Sequence, residues 1–573
     1  MDGLCIALLC LLVLFSWLPR YRGPIDLRWD GGVYYVLGTS IADGKGYRLL
    51  NEPGEIEAIQ YPPGLPAIVA IHEMILGSND PALVGIWIRR SWLLMSLLYI
   101  ASVFLLSRIF LPRGYAMLLA LTCLLNYQMC FLSTLCFAEL PFALTSTLFG
   151  YLYFRQKQGV ISRIGAGSAA VASYLLRTIG IALLLAWILD AALRREFRKA
   201  SVRAAIAAVP IFLWLFYVHS VESGEHYKRP FYAYQRAPSM FYNVSYATNV
   251  ALKSPFKPEK GFATTQDLVN RYVHNLGIIS SSLGEAVSAN EDPFWDGQLM
   301  KINRLIRPLA LPEWLLTCTL IFLALTVICG IGWMLWRRQS LIPIYLSTTI
   351  LAICTTAWPG QFARYLAPAE PFLLLASFGC LLELGRLIRL KFPSSSLGSA
   401  IPLAIVLLML AESAVSWISG NRHFCDKAVY EDVKGAVREY RLFHYAGAAS
   451  YAQTGLKWLV AHADRRAIVA VSMPQWVYLK TGLKTVMPPL DPDPQKAQQL
   501  IDTVPATYFI LDKLAMESYF NERFSGLVAN SPGKWRLVCA GPRGDFDIFQ
   551  RVDLNSPGAI QPIQLPSGKS LRF

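Results

Sequence analysis

Charge is scarce in this chain, and so are the signatures that mark many soluble enzymes. Only 16% of its 573 residues are Asp, Glu, Lys or Arg, against about 25% in an ordinary soluble domain. No CxxC pair or other zinc-ligand spacing occurs, and no GxGxxG follows the first strand of the tail. No internal repeat or low-complexity tract is present. These absences exclude a zinc ribbon, a dinucleotide-binding Rossmann domain and a solenoid. The first 18 residues also lack a basic leader and a small-residue cleavage site, so they read as an uncleaved helix rather than a signal peptide.

What is abundant is apolar length. Hydrophobic residues make up 54% of the chain, and mean hydropathy is +0.39. A bilayer core of ~30 Å takes roughly 20 apolar residues per helix. The runs 4–18, 87–107, 115–132, 135–154, 164–176, 179–193, 204–219, 312–336, 341–358, 367–387 and 401–418 meet or approach that length. The chain is therefore expected to be a polytopic α-helical membrane protein of about eleven transmembrane helices. Three larger regions remain, 19–86, 221–311 and 419–573. We expect a membrane module over 1–418 and a soluble α/β domain over 419–573.

The net charge of +15 sets topology rather than announcing a nucleic-acid partner. Five short loops (108–113, 155–163, 194–203, 337–338 and 386–391) hold fifteen Lys and Arg, with only Asp190, Glu196 and Glu383 in or beside them. With the N-terminus inside, all five fall on the cytoplasmic side, as basic loops do. An odd helix count then places the three larger regions and the C-terminal domain outside. Of eleven cysteines, nine lie in or beside apolar runs, where the thiol is a small hydrophobe. Cys425 and Cys539 fall in the polar tail, where a disulfide is open to them if they meet. In that tail, 467–473, 506–512 and 535–540 read as strands, 474–482 and 493–504 as helices, and 546–552 as a returning strand after the turn at 542–544.

The residues that carry chemistry gather in the first large loop. It reads Arg28-Trp29-Asp30-Gly31-Gly32-Val33-Tyr34-Tyr35, then Gly44-Lys45-Gly46-Tyr47, then Tyr61-Pro62-Pro63-Gly64-Leu65-Pro66. Asp30 opens an amphipathic stretch to Ala42, where a helix N-terminus favours a carboxylate anion. A helix on the membrane surface would let one carboxylate meet a lipid-borne phosphate and a water-borne hydroxyl. Glu139 ends an apolar run, a costly place for an ionisable group and often a functional one.

The order Asp-x3-Tyr, GxGY, YPPGxP resembles the first outer loop of the GT-C membrane glycosyltransferases, of the protein O-mannosyltransferase and aminoarabinose-transferase type. Ala138-Glu139-Leu140-Pro141-Phe142 is similar to the start of that family's fourth helix. Leu176-Arg177-Thr178-Ile179-Gly180 and Arg364-Tyr365-Leu366-Ala367-Pro368 resemble its later motifs. Where the family often carries a second acid after the first, this chain has Gly31. The resemblance covers 1–387 and implies inverting transfer of a sugar from a polyprenyl-phosphate donor to a glycan, lipid or protein hydroxyl. It implies Asp30 as base and Glu139 as a supporting acid. A leaving phosphate wants fixed cations: Arg364, in the late motif, is the first candidate for phosphate binding, Lys228 and Arg229, basic residues just past the run 204–219 on the expected outer side, come next, and Arg177 is a further one. Tyr34 and Tyr61 would line the sugar or acceptor. A divalent metal is optional, since phosphate is already a tolerable leaving group and His72 and His226 have no second ligand at metal spacing. The implied address is a bacterial inner membrane, or the endoplasmic reticulum. A lipid-linked glycan flippase, a polysaccharide polymerase or ligase, and a non-catalytic scaffold are the rival readings.

Overall fold

In a bilayer every backbone N–H and C=O must find a partner within the segment, so apolar runs become helices. The computed structural model describes residues 1–155, 159–288, 313–423, 425–432, 434–445, 448–514, 518–541, 544–553 and 563–564. Among the described residues, six helical spans are long and apolar enough to cross a membrane: Asp2–Arg20, Pro81–Phe110, Phe197–Ser223, Thr317–Trp336, Pro359–Lys391 and Leu397–Arg422. Shorter apolar helices fill the bundle, among them Gly64–Leu76, Arg113–Leu124, Val160–Leu176 and Leu341–Ile353. Much of the aliphatic surface of Phe197–Ser223 is exposed, including Phe212, Leu213, Leu215 and Phe216, as a lipid-facing helix requires.

Several expected spans begin or break at identifiable residues. The run 115–132 is two helices, α5 (Arg113–Leu124) and α6 (Tyr127–Leu132). Asn126 separates them, its side chain accepting from the Met129 amide at 2.7 Å as an N-cap does. The run 135–154 becomes helical only at Glu139, because Leu135 pairs with Asp26 of the first loop through an isolated bridge. The run 367–387 starts with a 3-10 turn at Ala367–Ala369, and the α-helix Glu370–Lys391 follows. The second large loop holds an amphipathic helix, Thr265–Ser288, that the sequence reading did not place. The rest of that loop, to 312, lies outside the described residues.

The C-terminal region is a sheet domain. Its six strands are β3 (Ile468–Ala470), β4 (Lys484–Val486), β5 (Ala506–Asp512), β6 (Trp535–Ala540), β7 (Phe546–Arg551) and β8 (Ile563–Gln564), in the order β4-β3-β5-β7-β6-β8. β3 runs parallel to β4 and β5, and β7 runs antiparallel to β5 and β6. An antiparallel hairpin, β1 (Cys425–Glu431) and β2 (Val437–Phe443), joins it to the last membrane helix. Cys425 lies on the hairpin and Cys539 on β6 of the larger sheet, and both are free thiols. The disulfide left open by the sequence does not form.

This domain docks on the first loop. Arg28 Nη1 and Nη2 donate to the carbonyls of His444 and Phe443 at 2.6 and 2.5 Å. Lys484 Nζ donates to the Leu50 carbonyl at 2.6 Å, and the Thr485 amide to the Asn51 carbonyl at 2.8 Å. Phe520 packs edge-on against Phe241 and Phe256 of the second loop. At Gly32 the packing is tight: an added Cβ would sit 3.0 Å from the Leu27 carbonyl, 3.1 Å from the Trp476 amide and 3.2 Å from Gln475 Cβ, so its neighbours would have to give. Gly32→Ala should therefore cost roughly 1–3 kcal/mol by overpacking. It should appear as a lower melting temperature and faster protease cutting between bundle and sheet domain. A melting temperature equal to that of the parent chain would show that the domain yields freely here.

Candidate active site

Two carboxylates stand at the positive ends of two helices. Asp30 is the first residue of α2 (Asp30–Ala42), and Glu139 is the first of the helix Glu139–Phe154. A carboxylate in the first turn is favoured by the helix dipole and unpaired amides. Trp29, just before Asp30, takes a φ of +55°, a sparsely populated conformation for an aromatic residue. It is held by Arg28, stacked 4.6 Å from its ring, and by an indole hydrogen bond of 3.4 Å to the Leu514 carbonyl of the sheet domain.

Arg364 joins the two acids. Its Nη2 donates to Asp30 Oδ2 and its Nε to Glu139 Oε1, each at 2.6 Å. Its guanidinium lies over the Phe137 ring, 4.4 Å from the centroid. Arg177, immediately after the helix Val160–Leu176, brings Nη1 to 2.7 Å from Glu139 Oε1. That approach is an ion pair without hydrogen-bond alignment, since the same nitrogen has no bonded partner. Tyr365 lies under the Arg177 guanidinium at 5.9 Å. Glu139 is 1% exposed, Arg364 7% and Asp30 9%. Two negative and two positive groups thus close a neutral cluster, as buried charges must.

Tyrosines wall the Asp30 side. Tyr242 donates its hydroxyl to Asp30 Oδ1 at 2.9 Å. The Tyr34 and Tyr61 rings lie 4.9 Å apart, and Tyr61 is 6.2 Å from Tyr242. Burial pushes the Asp30 carboxyl up, but the Arg364 charge and the donors Arg364, Tyr242 and Tyr61 outweigh it, holding the pKa below the usual carboxylate value. A depressed pKa keeps the anion to lower pH. Any acid limb of activity set by Asp30 should therefore lie below about pH 4, the ordinary Asp value. Tyr242→Phe removes one of the lowering donors, so that limb should move upward and kcat/KM at neutral pH should fall roughly 10- to 100-fold, the worth of one lost bond to a charged group. An unmoved limb would separate Tyr242 from the titration of Asp30.

Of the residues singled out in the sequence, the structure brings Asp30, Glu139, Arg177, Arg364, Tyr34 and Tyr61 together. Lys228 and Arg229 are not among them. Lys228 ends a four-residue helix, Glu225–Lys228, and Arg229 follows it; both are exposed to solvent, Arg229 86% so with Glu225 at 3.5 Å. They were singled out for positive charge on the expected outer side, a signal that a solvated surface satisfies equally well. Arg364 makes no bond to Glu370; the acids it holds are Asp30 and Glu139. His226 is exposed, and His72 gives its ring nitrogens to the Ile68 carbonyl and Ser91 Oγ. Sequence reasoning missed Tyr242 as a site residue. It also missed a polar groove of about 350 Å³ lined by Lys253, Arg271, His274, Asn275, Thr356 and Pro359. That groove neighbours the cluster: Thr356, on its lining, is close to Tyr365, whose ring lies under Arg177.

No family model and no curated protein matches the chain by sequence. Solved structures do match its architecture. An oligosaccharyltransferase from Archaeoglobus fulgidus, in the apo form, aligns with a TM-score of 0.53 at 12% identity, covering 97% of this chain and 75% of that one. An Archaeoglobus fulgidus oligosaccharyltransferase in complex with Zn and sulfate aligns at 0.53 and 13% identity, over 96% and 73% of the two chains. ArnT from Cupriavidus metallidurans, in the apo state, aligns at 0.49 and 10% identity, over 97% and 99%. At such identities the likeness speaks for architecture alone. It is enough to say that this chain has the fold of the GT-C membrane glycosyltransferases.

Proposed function

We propose that this chain is an inverting glycosyltransferase. It would take a sugar from a polyprenyl-phosphate carrier and place it on a glycan, lipid or protein hydroxyl at the extracytoplasmic face of a membrane. The observation that carries the reading is the neutral cluster of Asp30, Glu139, Arg177 and Arg364 at one end of the helix bundle. Support for a lipid-phosphate donor comes from the archaeal oligosaccharyltransferase AglB, aligned at a TM-score of 0.51 and solved with an inhibitory peptide and a dolichol-phosphate.

In this reading the acceptor oxygen attacks the anomeric carbon from the face opposite the phosphate. The carbon–oxygen bond to phosphate breaks, and polyprenyl phosphate leaves with its electron pair. The acceptor proton passes to Asp30. A carboxylate with a depressed pKa is a weak base, so it takes the proton late, once the new bond has made the hydroxyl acidic. Its fixed charge meanwhile faces the positive charge that develops on the sugar, as in glycoside hydrolysis. The departing phosphate would meet the guanidinium of Arg364, whose Nη1 makes no hydrogen bond among the described residues, and that of Arg177. Glu139 holds both arginines in place. Tyr34 and Tyr61 supply ring faces for the sugar. The carrier would approach beside the polar groove, where Leu268, Val269, Val273 and Leu276 present an exposed apolar helix face.

Eleven crossings with the N-terminus inside, and the sheet domain outside, complete the topology we propose, in a bacterial inner membrane. The test is direct. The purified chain in lipid nanodiscs receives a panel of polyprenyl-phosphate hexoses and pentoses with candidate acceptors. Release of polyprenyl phosphate coupled to an inverted glycosidic product, read by NMR, is expected for one donor. A product of retained configuration would sink the single-displacement scheme. Movement of intact carrier between leaflets without sugar release would favour a flippase instead.

A further inference from the structure

The zinc in the Archaeoglobus fulgidus oligosaccharyltransferase complex raises the question of a metal in a chain with the same fold. The donor set here answers it. Asp30 Oδ2 and Glu139 Oε1 each lie 2.6 Å from a nitrogen of the one Arg364 side chain. A divalent cation bonded to both would need oxygen distances of ~2.0–2.6 Å and would overlap that guanidinium. Charge points the same way. Arg364 and Arg177 already balance Asp30 and Glu139, and a dication added to the cluster would leave two uncompensated positive charges in a site whose side chains are mostly buried. Among the described residues no group of three His, Cys, Asp or Glu side chains converges anywhere. The residues present do not fit a divalent metal.

We infer that Arg364 and Arg177 stand in for a divalent cation: the two guanidiniums supply its two positive charges, and the site works without metal. Arg364 bridges the carboxylates as an ion would. It differs in offering directional N–H donors that need no hydration shell and cannot be chelated away. The inference rests on the transfer reading for its chemistry, but not for its measurement.

The test uses the full chain in nanodiscs and Mn²⁺ as probe, with free Mn²⁺ counted by electron paramagnetic resonance. The chelator-dialysed parent chain should take up no Mn²⁺ at micromolar concentrations, and Mn²⁺ should leave its melting temperature unchanged. Arg364→Ala exposes two adjacent carboxylates. It should bind Mn²⁺ at least about tenfold more tightly than the parent and gain melting temperature with added Mn²⁺, as a ligand that binds only the folded state requires. Arg364→Gln, which keeps more of the side-chain volume, replaces it if the alanine variant does not fold. One tightly held Mn²⁺ per parent chain, lost in Asp30→Asn, overturns the inference. So does a folded Arg364 variant that binds Mn²⁺ no better than the parent. Transfer that stops on chelation and returns with Mn²⁺ overturns this inference alone. A parent chain that ignores Mn²⁺ and moves no sugar overturns the transfer reading alone.

Discussion

Asp30→Asn should abolish sugar transfer while leaving carrier binding intact. The amide has the shape of the carboxylate and can still accept from Tyr242, now 2.9 Å from Oδ1. What it loses is the charge and the ability to hold a proton. General-base help is worth roughly 10²–10⁴-fold, and loss of the anion beside a cationic transition state adds to that. Arg364 keeps Glu139 as a partner at 2.6 Å, so the cluster does not fall apart. The net charge of the four groups moves from zero to +1, which should hold an anionic carrier at least as well as before. The measurement is turnover against equilibrium binding of polyprenyl phosphate on the same preparation. Turnover within a few-fold of the parent chain would remove Asp30 from the chemistry, whatever the fold implies.

Arg364→Ala carries the second large effect, and it should strike stability and activity together. One substitution leaves Asp30 without its cation and Glu139 with Arg177 alone, in a place where both acids are buried. Removing one partner of a buried ion pair typically costs about 3–5 kcal/mol. That should be visible as a large drop in melting temperature and as lost transfer. Arg364→Lys is the informative control. A lysine retains the charge but cannot hold two carboxylates with a planar fork while lying on the Phe137 ring. It should recover much of the stability and little of the transfer. Equal recovery of both would mean that charge alone matters at this position and that the bidentate geometry is incidental.

Asp30 and Glu139 are legible from local sequence, one at a helix N-terminus and one at the end of an apolar run, where an ion is oriented or costly. Arg177 and Arg364 are legible only through motifs that resemble those of a known family. The mutual contacts of the four needed distant information, since Arg364 meets Asp30 across 334 positions of chain. Tyr242 stayed hidden for a related reason: it lies 212 residues from the carboxylate it touches, in a loop rich in other tyrosines. Lys228 and Arg229 show the limit of charge sign as a pointer: both side chains are exposed to solvent and lie outside the cluster.

The fold divides along similar lines. Strands β5 and β6 were legible to the residue, because short β-rich runs between turns have few alternatives. The β1–β2 hairpin was not, since its residues are largely exposed and carry no apolar alternation. The break at Asn126 was missed because hydropathy averages over a window while capping is decided by one side chain.

The docking of the sheet domain on the first loop has a consequence for biosynthesis. The segment that presents Asp30 is translated well before its fastenings: Arg28 is held by Phe443 across 415 residues, Trp29 by Leu514 across 485 and Leu50 by Lys484 across 434. Membrane helices insert as they are made, whereas these fastenings await synthesis of the sheet domain. A copy cut before the sheet domain would sit in the bilayer with the loop that carries Asp30 unfastened, and under the transfer reading proposed above it would spend no carrier lipid.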